Sequence, residues 1–478
     1  MKKMVCALAV LLALLSCNMS GDDSNESDNA NLSSLTINTG TLNPAFNPQT
    51  TAYSVGVDNT VSSITVTGIA ADYNAAVSAN SGVAQDLAVG NNTVGITVMA
   101  EDGKTEKTYT VTVNRAVATY FITKWKTDNP GASSNMVYFP IVDSGSNDFI
   151  IDWGDGSGDH VTSWTDTALS HQYSEAGTYT VTATGIINGF SFSLYEYFGI
   201  GMNDAAKLLE ISEWGPVKFG NSGYYFKGCE NLVVTATDIP DLTDTTSFAF
   251  MFSGCNSITD IPNIADWDIS EVTDMSTMFG NSGNMNPNIG GWNVSSVINM
   301  SYMFQYNTAF NRDISGWTVS NVTSMNGMFN GATSFNRDIG GWDVSKVKNM
   351  GGWRSNTGTE YGGMFSGATS FNQDLSEWDV SNVTNMHAMF SGATSFDQSL
   401  AAWDVRNVKN MVEMFSGVTL STANYDATLI AWSNLPSLQS DVVFDGGNSL
   451  YSAAAAAARQ KIIDDYNWTI TDGGAAAP

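Results

Sequence analysis

The stretch Trp267-Asp-Ile-Ser-Glu-Val-Thr-Asp-Met-Ser-Thr-Met-Phe279 returns five more times along the chain. Each copy begins at a tryptophan, and the steps between successive tryptophans are 25, 25, 25, 36 and 25 residues. The six copies begin at Trp267, Trp292, Trp317, Trp342, Trp378 and Trp403. A fixed period of this length is typical of a solenoid, because a short unit cannot bury its apolar face unless it stacks on copies of itself. The sequence therefore predicts a stacked-repeat region up to Phe415.

Within one copy the apolar residues recur every three positions, as at Val319, Val322, Met325 and Met328. This spacing fits neither the strand period of two nor the helix period of 3.6. It favours a coil that turns corners through short strands and 3₁₀-like turns, with its inward positions forming columns. We expect the six tryptophans to form one such column. A tryptophan column is either core or a carbohydrate platform, and core is favoured because large aromatic side chains stabilise stacked repeats.

Three segments carry a resemblance to a known family: Trp378-Asp-Val-Ser-Asn-Val-Thr-Asn-Met386, Met389-Phe-Ser-Gly-Ala-Thr-Ser-Phe396 and Phe371-Asn-Gln-Asp-Leu375. They resemble the BspA-type surface repeat, a relative of the leucine-rich repeat. Two earlier segments, beginning at Phe226 and Phe252, resemble its Phe-x-Gly-Cys-x-x-Leu variant. The resemblance implies a solenoid over residues 191–420, with repeats starting near Lys207. It also implies a surface protein, since the studied members are described as adhesins that bind host matrix proteins.

The N-terminal segment predicts export. Met1-Lys-Lys and the apolar run Val5–Leu15 are typical of a secretory signal, assigned to residues 1–16. The tetrapeptide Leu14-Leu-Ser-Cys17 resembles a bacterial lipobox, which implies lipidation at Cys17; a plain signal peptide cut elsewhere is the alternative. Residues 17–31 read as an acidic tether. Acidic residues after the cysteine resemble the export signal of Gram-negative surface lipoproteins, which implies an outer-membrane protein that faces the exterior and contacts the membrane through lipid only.

The charge balance excludes one class of partner. Acidic residues outnumber basic ones 47 to 19, and the net charge is −28. Such a chain is repelled by phosphate backbones, so nucleic acid is not expected as a partner. We expect no cofactor and no metal. Cys229 and Cys255 occupy equivalent positions of neighbouring units, and reduced core thiols are favoured over a disulfide because in-register side chains point in parallel.

Two segments before the repeats predict β-sandwiches. In residues 32–115, alternating strands flank the hairpin signal Glu101-Asp-Gly-Lys104, and the segment resembles a cadherin-like sandwich of bacterial surface proteins. In residues 116–190, the segments Phe149-Ile-Ile-Asp-Trp-Gly-Asp-Gly156 and His171-Gln-Tyr-Ser-Glu-Ala-Gly-Thr-Tyr-Thr-Val-Thr182 resemble the polycystic-kidney-disease (PKD) fold. No calcium site is carried over from the cadherins, because no matching acidic cluster is present.

Several aspartates have both a chemical and a structural interpretation. Asp152 and Asp155 could form a glycosidase pair, but a turn in which aspartate accepts backbone N–H groups explains them without chemistry. The repeats place further aspartates in columns, which could bind calcium or cap turns. Those columns are interrupted by Asn293, Thr318, Asn288 and Ser399, which favours turns over a calcium row.

One repeat carries an insertion. Met350 and Met364 are 14 residues apart, whereas the equivalent Met325 and Met328 are three apart. The 11 extra residues, 351–361, must leave the coil, and insertions in solenoids often lie on the binding face. They contain Trp353, Arg354 and Tyr361, the residue types that dominate binding hot spots, and we take these three as candidate ligand-binding residues. Drift within the repeat family is an equally weighted alternative.

The sequence as a whole predicts a multidomain, mainly β protein: two Ig-like β-sandwiches, then a leucine-rich-repeat-like solenoid of ~25-residue units, then a helical cap in residues 421–478. Helices are expected over Ala423–Ser433 and Ser452–Tyr466. The common catalytic motifs are absent from the sequence, so no enzyme activity and no catalytic residue is expected. We expect a surface protein that binds an extracellular or host matrix protein; capture of polysaccharide is the alternative.

Overall fold

The computed structural model describes residues 26–57, 59, 61–116, 119–131, 133–193, 204–354 and 360–477. The predicted signal segment 1–16, the tether up to residue 25 and Cys17 lie outside the described residues. The chain divides into two compact units, residues 1–118 and 119–478. Within the described residues it is mainly β, with two α-helices.

The first unit contains two sheets. A three-stranded sheet has the order β1-β3-β5 and a four-stranded sheet the order β2-β7-β6-β4. The predicted hairpin joins β6 to β7, which pair from Gly90↔Arg115 to Met99↔Glu106. Alternate residues of these strands are buried, among them Ile96 and Tyr109, so the two-residue period builds a separate core. The strands are β1 Leu32–Ile37, β2 Ala52–Val57, β3 Ser63–Ala70, β4 Ala76–Val77, β5 Ala84–Asp86, β6 Gly90–Met99 and β7 Glu106–Arg115.

The second unit begins with a sheet that continues into the repeats. Its order is β11-β10-β13-β8-β14-β16, with β15 pairing β13 and a separate pair β9-β12. The strands are β8 Phe121–Lys126, β9 Met136–Tyr138, β10 Asp148–Asp152, β11 Gly158–Val161, β12 Ser170–Gln172, β13 Thr178–Asn188, β14 Leu208–Glu213, β15 Val217–Lys218 and β16 Val233–Val234. Short 3₁₀ helices lie at Thr167–Leu169, Ala205–Lys207 and Ile264–Asp266.

This sheet crosses the sequence boundary expected at residue 190. Strand β14 pairs antiparallel with β8 on one side and parallel with β16 on the other. Leu208 and Ile211 of β14 are fully buried in the same core as Trp125 of β8. One hydrophobic core then runs from Phe121 to Trp468, so the expected PKD-like domain and the repeats share a core instead of forming separate compact units.

The repeats stack as coils joined by single parallel bridges. Consecutive bridges link Ser247, Asp274, Asn299, Ser324, Asn349, Asn385 and Asn410. The phenylalanines of the Met-Phe pairs form a column inside the stack, with ring centroids of neighbouring coils 5.4 to 6.2 Å apart. The spacing from Phe329 to Phe365 is 5.8 Å, within this range, although the sequence step there is 36 residues. The insertion therefore leaves the stack unbroken.

The tryptophan column is core. All six tryptophans are at most 4% exposed. Five of them donate an indole N–H bond to a carbonyl of the preceding coil, as Trp317 does to Ile289 at 3.1 Å. The core interpretation is confirmed, and the platform interpretation of this column is wrong because no ring face reaches solvent.

Asparagines after the second phenylalanine of each coil form a ladder between coils. The Oδ1 of Asn311 accepts a bond from the backbone N–H of Asn336, and Asn336 accepts from Asn372 in the same way. Asn286 and Asn372 continue the pattern toward the two ends. Because each amide satisfies a backbone donor of the next coil, this polar column holds the register that the apolar columns alone would leave loose.

Two α-helices close the repeat region. Helix α1 spans Thr422–Ser433 and α2 spans Ala453–Tyr466, close to the predicted ranges, and the Ser452 hydroxyl caps α2 by accepting from the Ala454 N–H. Trp432 of α1 continues the tryptophan column by donating to the Leu400 carbonyl. The remaining strands are β17 Trp353–Arg354, β18 Glu360–Tyr361, β19 Val443–Asp445, β20 Leu450–Tyr451, β21 Thr469–Thr471 and β22 Gly474–Ala475.

Two further features concern the expected anchor and cysteines. Among the described residues, no helix combines the length and the apolar character needed to cross a bilayer. Cys229 and Cys255 are buried free thiols, as favoured from the sequence. The Cys255 thiol lies 3.1 Å from the Phe226 carbonyl, and burial raises the pKa of both thiols.

Candidate functional site

One edge of the stack carries the aspartates that flank the tryptophans. Each accepts a hydrogen bond from the backbone N–H two residues later, as Asp343 does from Ser345 at 3.1 Å. We call this the acidic edge, and its seven aspartates are Asp268, Asp313, Asp338, Asp343, Asp374, Asp379 and Asp404. The Ser345 hydroxyl and N–H together lower the pKa of Asp343. The turn interpretation is thus confirmed, because every one of these carboxylates serves a backbone turn.

Within the described residues, no three His, Cys, Asp or Glu side chains are grouped closely enough to hold a metal ion. The aspartates of the second sandwich also serve turns. Asp152 accepts from the Gly154 N–H and Asp155 from the Ser157 N–H. Hydrogen bonds from Ser157 and from His171, whose Nε2 lies 2.9 Å from Asp155, lower the pKa of Asp155 to about 2. Because each carboxylate is engaged by its own turn, the geometry favours the structural interpretation over a glycosidase pair.

A second edge of the stack is formed by the residues before and after each Met-Phe pair. Backbone bonds place these positions above one another: the Thr277 N–H donates to Ser301, Tyr302 to Asn326, and Tyr306 to Asn330. From residue 276 to residue 392, outside the insertion, these positions contain no Asp, Glu, Lys or Arg. We call this the uncharged edge; its residues are Ser276, Thr277, Gly280, Asn281, Ser301, Tyr302, Gln305, Tyr306, Asn326, Gly327, Asn330, Gly331, Gly362, Gly363, Ser366, Gly367, His387, Ala388, Ser391 and Gly392.

Two tyrosines of this edge lie on glycines of the next coil. A Cβ at Gly327 would meet the Tyr302 ring at 2.2 Å, and a Cβ at Gly331 would meet the Tyr306 ring at 2.4 Å. Each ring therefore needs a glycine beneath it. Tyr302 is partly buried, whereas Tyr306 is 51% exposed. Both tyrosines have left-handed backbone conformations, with φ of 58° and 53°.

Tyr306 and Asn307 depart from the repeat pattern. The equivalent positions in the later coils hold Gly-Ala, as at Gly331-Ala332 and Gly367-Ala368. Asn307 is fully buried, and its Nδ2 has no hydrogen-bond partner in the described part of the chain. The same holds for Nδ2 of Asn330, which is 5% exposed. Left-handed tyrosine and unpaired buried amides both cost stability, so this coil departs from its neighbours at a cost.

The insertion leaves the coil from this same uncharged edge. The Met364 N–H donates to the Met350 carbonyl at 2.8 Å, which closes its root. Its backbone forms a short antiparallel pair, with Trp353 opposite Tyr361 and Arg354 opposite Glu360. Trp353 is 49% exposed. The side chains of Arg354 and Tyr361, like residues 355–359, lie outside the described part of the structure.

The structure thus brings the candidate insertion together with a surface that the sequence analysis missed. Gly362, at the root of the insertion, has its carbonyl next to Gly327 and its Cα beside the Asn330 side chain. Tyr302, Tyr306 and Asn330 therefore border the insertion. A sequence signal was present, because Tyr306 stands where most copies have glycine and is followed by asparagine in place of alanine or cysteine.

Comparisons with known proteins match two parts of the chain. A family described as a cadherin-like beta sandwich domain matches residues 32–116, so the first unit carries that domain, as predicted. A family described as "Mycoplasma protein of unknown function, DUF285" matches residues 246–359 and 351–432, which lie in the repeat stack and reach into α1.

The chain is also similar to a protein of Evansella cellulosilytica named "Putative membrane protein", with 40% identity over 103 residues. That match covers 20% of this chain and 15% of the other protein, so the chain spans a small part of that relative's length. No solved structure gives a significant match.

Proposed function

We propose that this chain is a non-catalytic cell-surface adhesion protein that binds an extracellular or host matrix protein through the repeat stack, at the insertion 351–361. The observation that carries the proposal is the exposed Trp353 on a hairpin that leaves an otherwise regular stack. Tryptophan is among the residue types most enriched in binding hot spots, and a half-exposed tryptophan is accessible to a partner. A cadherin-like domain and a DUF285 region in one chain are consistent with a surface protein of the adhesion type.

The finer assignments belong to the same proposal. The repeats are those of a BspA-type leucine-rich-repeat solenoid, and the second sandwich is PKD-like. Lipid on Cys17 anchors the chain to the outer membrane, facing the exterior, and the two sandwiches form a stalk that projects the stack. The motifs quoted from the sequence support these assignments, and mass spectrometry of the N-terminal peptide would test the lipid directly.

The absence of an enzyme activity is also part of the proposal. Two described histidines pack inside the fold: His171 stacks on Trp153 at 5.0 Å, and His387 is 8% exposed within the stack. His160 lies on the surface, 2.6 Å from Asp148. The aspartates of the acidic edge and of the turns in the second sandwich accept backbone bonds, which leaves them poorly placed to act as a general acid–base pair.

The test is a binding screen of the purified chain against immobilised extracellular-matrix proteins and polysaccharides. A second variant replaces residues 351–363 with Asn-Gly, the pair that joins Met325 to Met328 in a regular coil. Because Met350 and Met364 already hydrogen-bond at the root, this variant is expected to keep its thermal midpoint nearly unchanged.

Binding of a matrix protein that this replacement abolishes supports the proposal. Binding of polysaccharide alone would favour the alternative, capture of polysaccharide. Binding of neither matrix proteins nor polysaccharides would contradict a binding role. A large loss of thermal stability in the variant would show that the insertion is structural.

A further inference from the structure

We propose that the uncharged edge is itself a docking surface for a folded protein, with Tyr302 and Tyr306 as its anchors beside the insertion. This inference rests on the proposed function and extends it, because it moves the centre of the interface from the insertion to the two coils that precede it. The contact surface would then centre on the edges of the coils that contain Tyr302 and Gly327.

The uncharged edge differs from the rest of the chain in charge. The chain carries 47 acidic and 19 basic residues, yet the 13 positions of the uncharged edge that are at least partly exposed contain none of either. The acidic edge of the same coils carries seven aspartates. Depletion of charged residues is the compositional mark of the centre of a protein–protein interface. A requirement for solubility alone would not confine the depletion of charged residues to one edge.

The uncharged edge also has a distinctive residue composition. It consists mainly of Gly, Ser, Asn and Tyr, and the adjoining insertion adds Trp353. This is the composition of antibody binding loops, in which tyrosine supplies a large amphipathic contact at low entropic cost and small polar residues adapt their hydrogen bonds. A surface of this composition fits a folded protein.

The two tyrosines are held in place by the next coil. Glycine at positions 327 and 331 lets each ring lie against that coil, and a methyl group there would overlap the ring. Neighbouring coils show that a left-handed backbone at the position of Gly327 does not by itself require glycine, since Thr277 and Ala388 adopt it. The ring of Tyr302 requires it. Side chains fixed in this way lose little freedom on binding.

Two successive coils of this edge carry features that cost stability. Asn307 and Asn330 are buried, and in the described part of the chain neither Nδ2 has a hydrogen-bond partner. Tyr306 is left-handed where the later coils have glycine. Departures of this kind cluster at functional sites, because only a function maintains them against the more stable alternative.

The size of the surface also fits a protein. From Phe279 to Phe390 the coils advance in four steps of 5.5 to 5.8 Å, so the uncharged edge is about 23 Å long. A standard interface covers about 800 Å² on each partner, a patch of roughly this length. The acidic residues around the edge favour a partner with a neutral centre and a basic rim.

The test compares tyrosine variants by their affinity for the matrix protein that binds in the screen. Tyr306→Gly installs the residue of the other coils, and Tyr302→Ala removes the second ring. The matched control is Tyr73→Ala, which removes a fully exposed tyrosine in the other unit. We expect each edge variant to weaken binding by about tenfold or more, as anchors do, with the control unchanged. Thermal unfolding of each variant shows that the fold is kept.

Three results would overturn this inference. Unchanged affinity in both edge variants would overturn it while leaving the proposed function intact, provided that replacing the insertion still abolishes binding. Binding to polysaccharide without any matrix protein would overturn the class of partner. Binding of no panel member would overturn both the inference and the proposed function.

Discussion

The two edges of the repeat stack obey different rules. On the acidic edge aspartate follows the tryptophan in four of the six coils, and each of these aspartates accepts the N–H two residues later. On the uncharged edge the corresponding positions hold Thr277, Tyr302, Gly327, an 11-residue insertion and Ala388 in successive coils. Both edges are equally supported by the interior columns, so the interior does not account for the difference.

The difference between the two edges shows which positions require a particular side chain for the fold and which positions accept several. A coil must turn after its tryptophan, and aspartate or asparagine makes that turn by its own hydrogen bond, so the acidic edge repeats. The positions beside the Met-Phe pair are held by hydrogen bonds between the backbones of neighbouring coils. These bonds do not depend on the side chain at the position. Variation there leaves the stack intact even where it costs stability, as at Tyr306 and Asn307, and this allows a binding surface to be built.

The largest effect is expected inside the stack, where both edges depend on the same column. Phe329 lies between Phe304 and Phe365, with its ring centroid 3.9 Å from that of Phe335. Phe329→Ala should lower the free energy of unfolding by about 3–5 kcal/mol, the usual cost of removing a buried aromatic ring. Chemical denaturation measures this. Trp353→Ala is the control, since a half-exposed hairpin residue should leave stability within about 0.5 kcal/mol; equal losses would contradict the contrast between interior and insertion.

A smaller effect of opposite sign is expected on the uncharged edge. Asn307→Ala installs the residue that the later coils have at this position and removes a buried Nδ2 that has no partner in the described chain. It also removes the bond that Asn307 accepts from the Phe310 N–H, at 3.2 Å. We expect a net gain of about 1 kcal/mol in unfolding free energy, because an unpaired buried amide costs more than one neutral bond contributes. A net loss in denaturant unfolding would show that this amide is satisfied.

The smallest effect is expected on the acidic edge. Asp343→Asn should leave stability at pH 7 nearly unchanged, since Asn293 makes the same turn by accepting from the Ser295 N–H. Asp343→Ala should cost less than about 1 kcal/mol, the value of one exposed turn bond. Comparing the two variants separates the contribution of the turn hydrogen bond to stability from that of the negative charge.

The pH dependence follows from the lowered pKa of Asp343. A carboxyl whose pKa is lower in the folded chain stabilises the fold above its unfolded pKa, about 3.9, and this contribution disappears as the pH falls through the folded value. Thermal unfolding between pH 7 and pH 2 should therefore show a smaller acid-induced decrease in Asp343→Asn than in the parent chain. An unchanged acid profile would mean that this carboxylate is not engaged by its turn.

Much of the architecture could be predicted from the sequence because it repeats. The constant step from tryptophan to tryptophan predicts the columns, and Ser452 before the alanine run predicts the start of α2, since a serine cap and a helix-forming run act locally. The sheet that joins β8 to β14 could not be predicted, because pairing between distant strands depends on which edges remain open after the sandwich has formed.

The candidate site was predicted only in part. The insertion shows in the spacing of Met350 and Met364, since a change of period is visible in a repeat. The uncharged edge could not be predicted from the sequence, because a three-residue period in an irregular coil does not indicate which side chains share an outer edge. Only the bonds from Tyr302 to Asn326 and from Tyr306 to Asn330 place those residues together.

The most direct test of the account adds one negative charge to each edge and compares the affinities for the bound matrix protein. Gln305→Glu places it on the uncharged edge, and Thr318→Asp places it on the acidic edge, where four other copies already have aspartate. Because an unpaired charge is costly to bury in an interface, we predict a loss of about tenfold or more for Gln305→Glu and little change for Thr318→Asp. Equal losses, or a loss confined to Thr318→Asp, would contradict a binding surface on the uncharged edge.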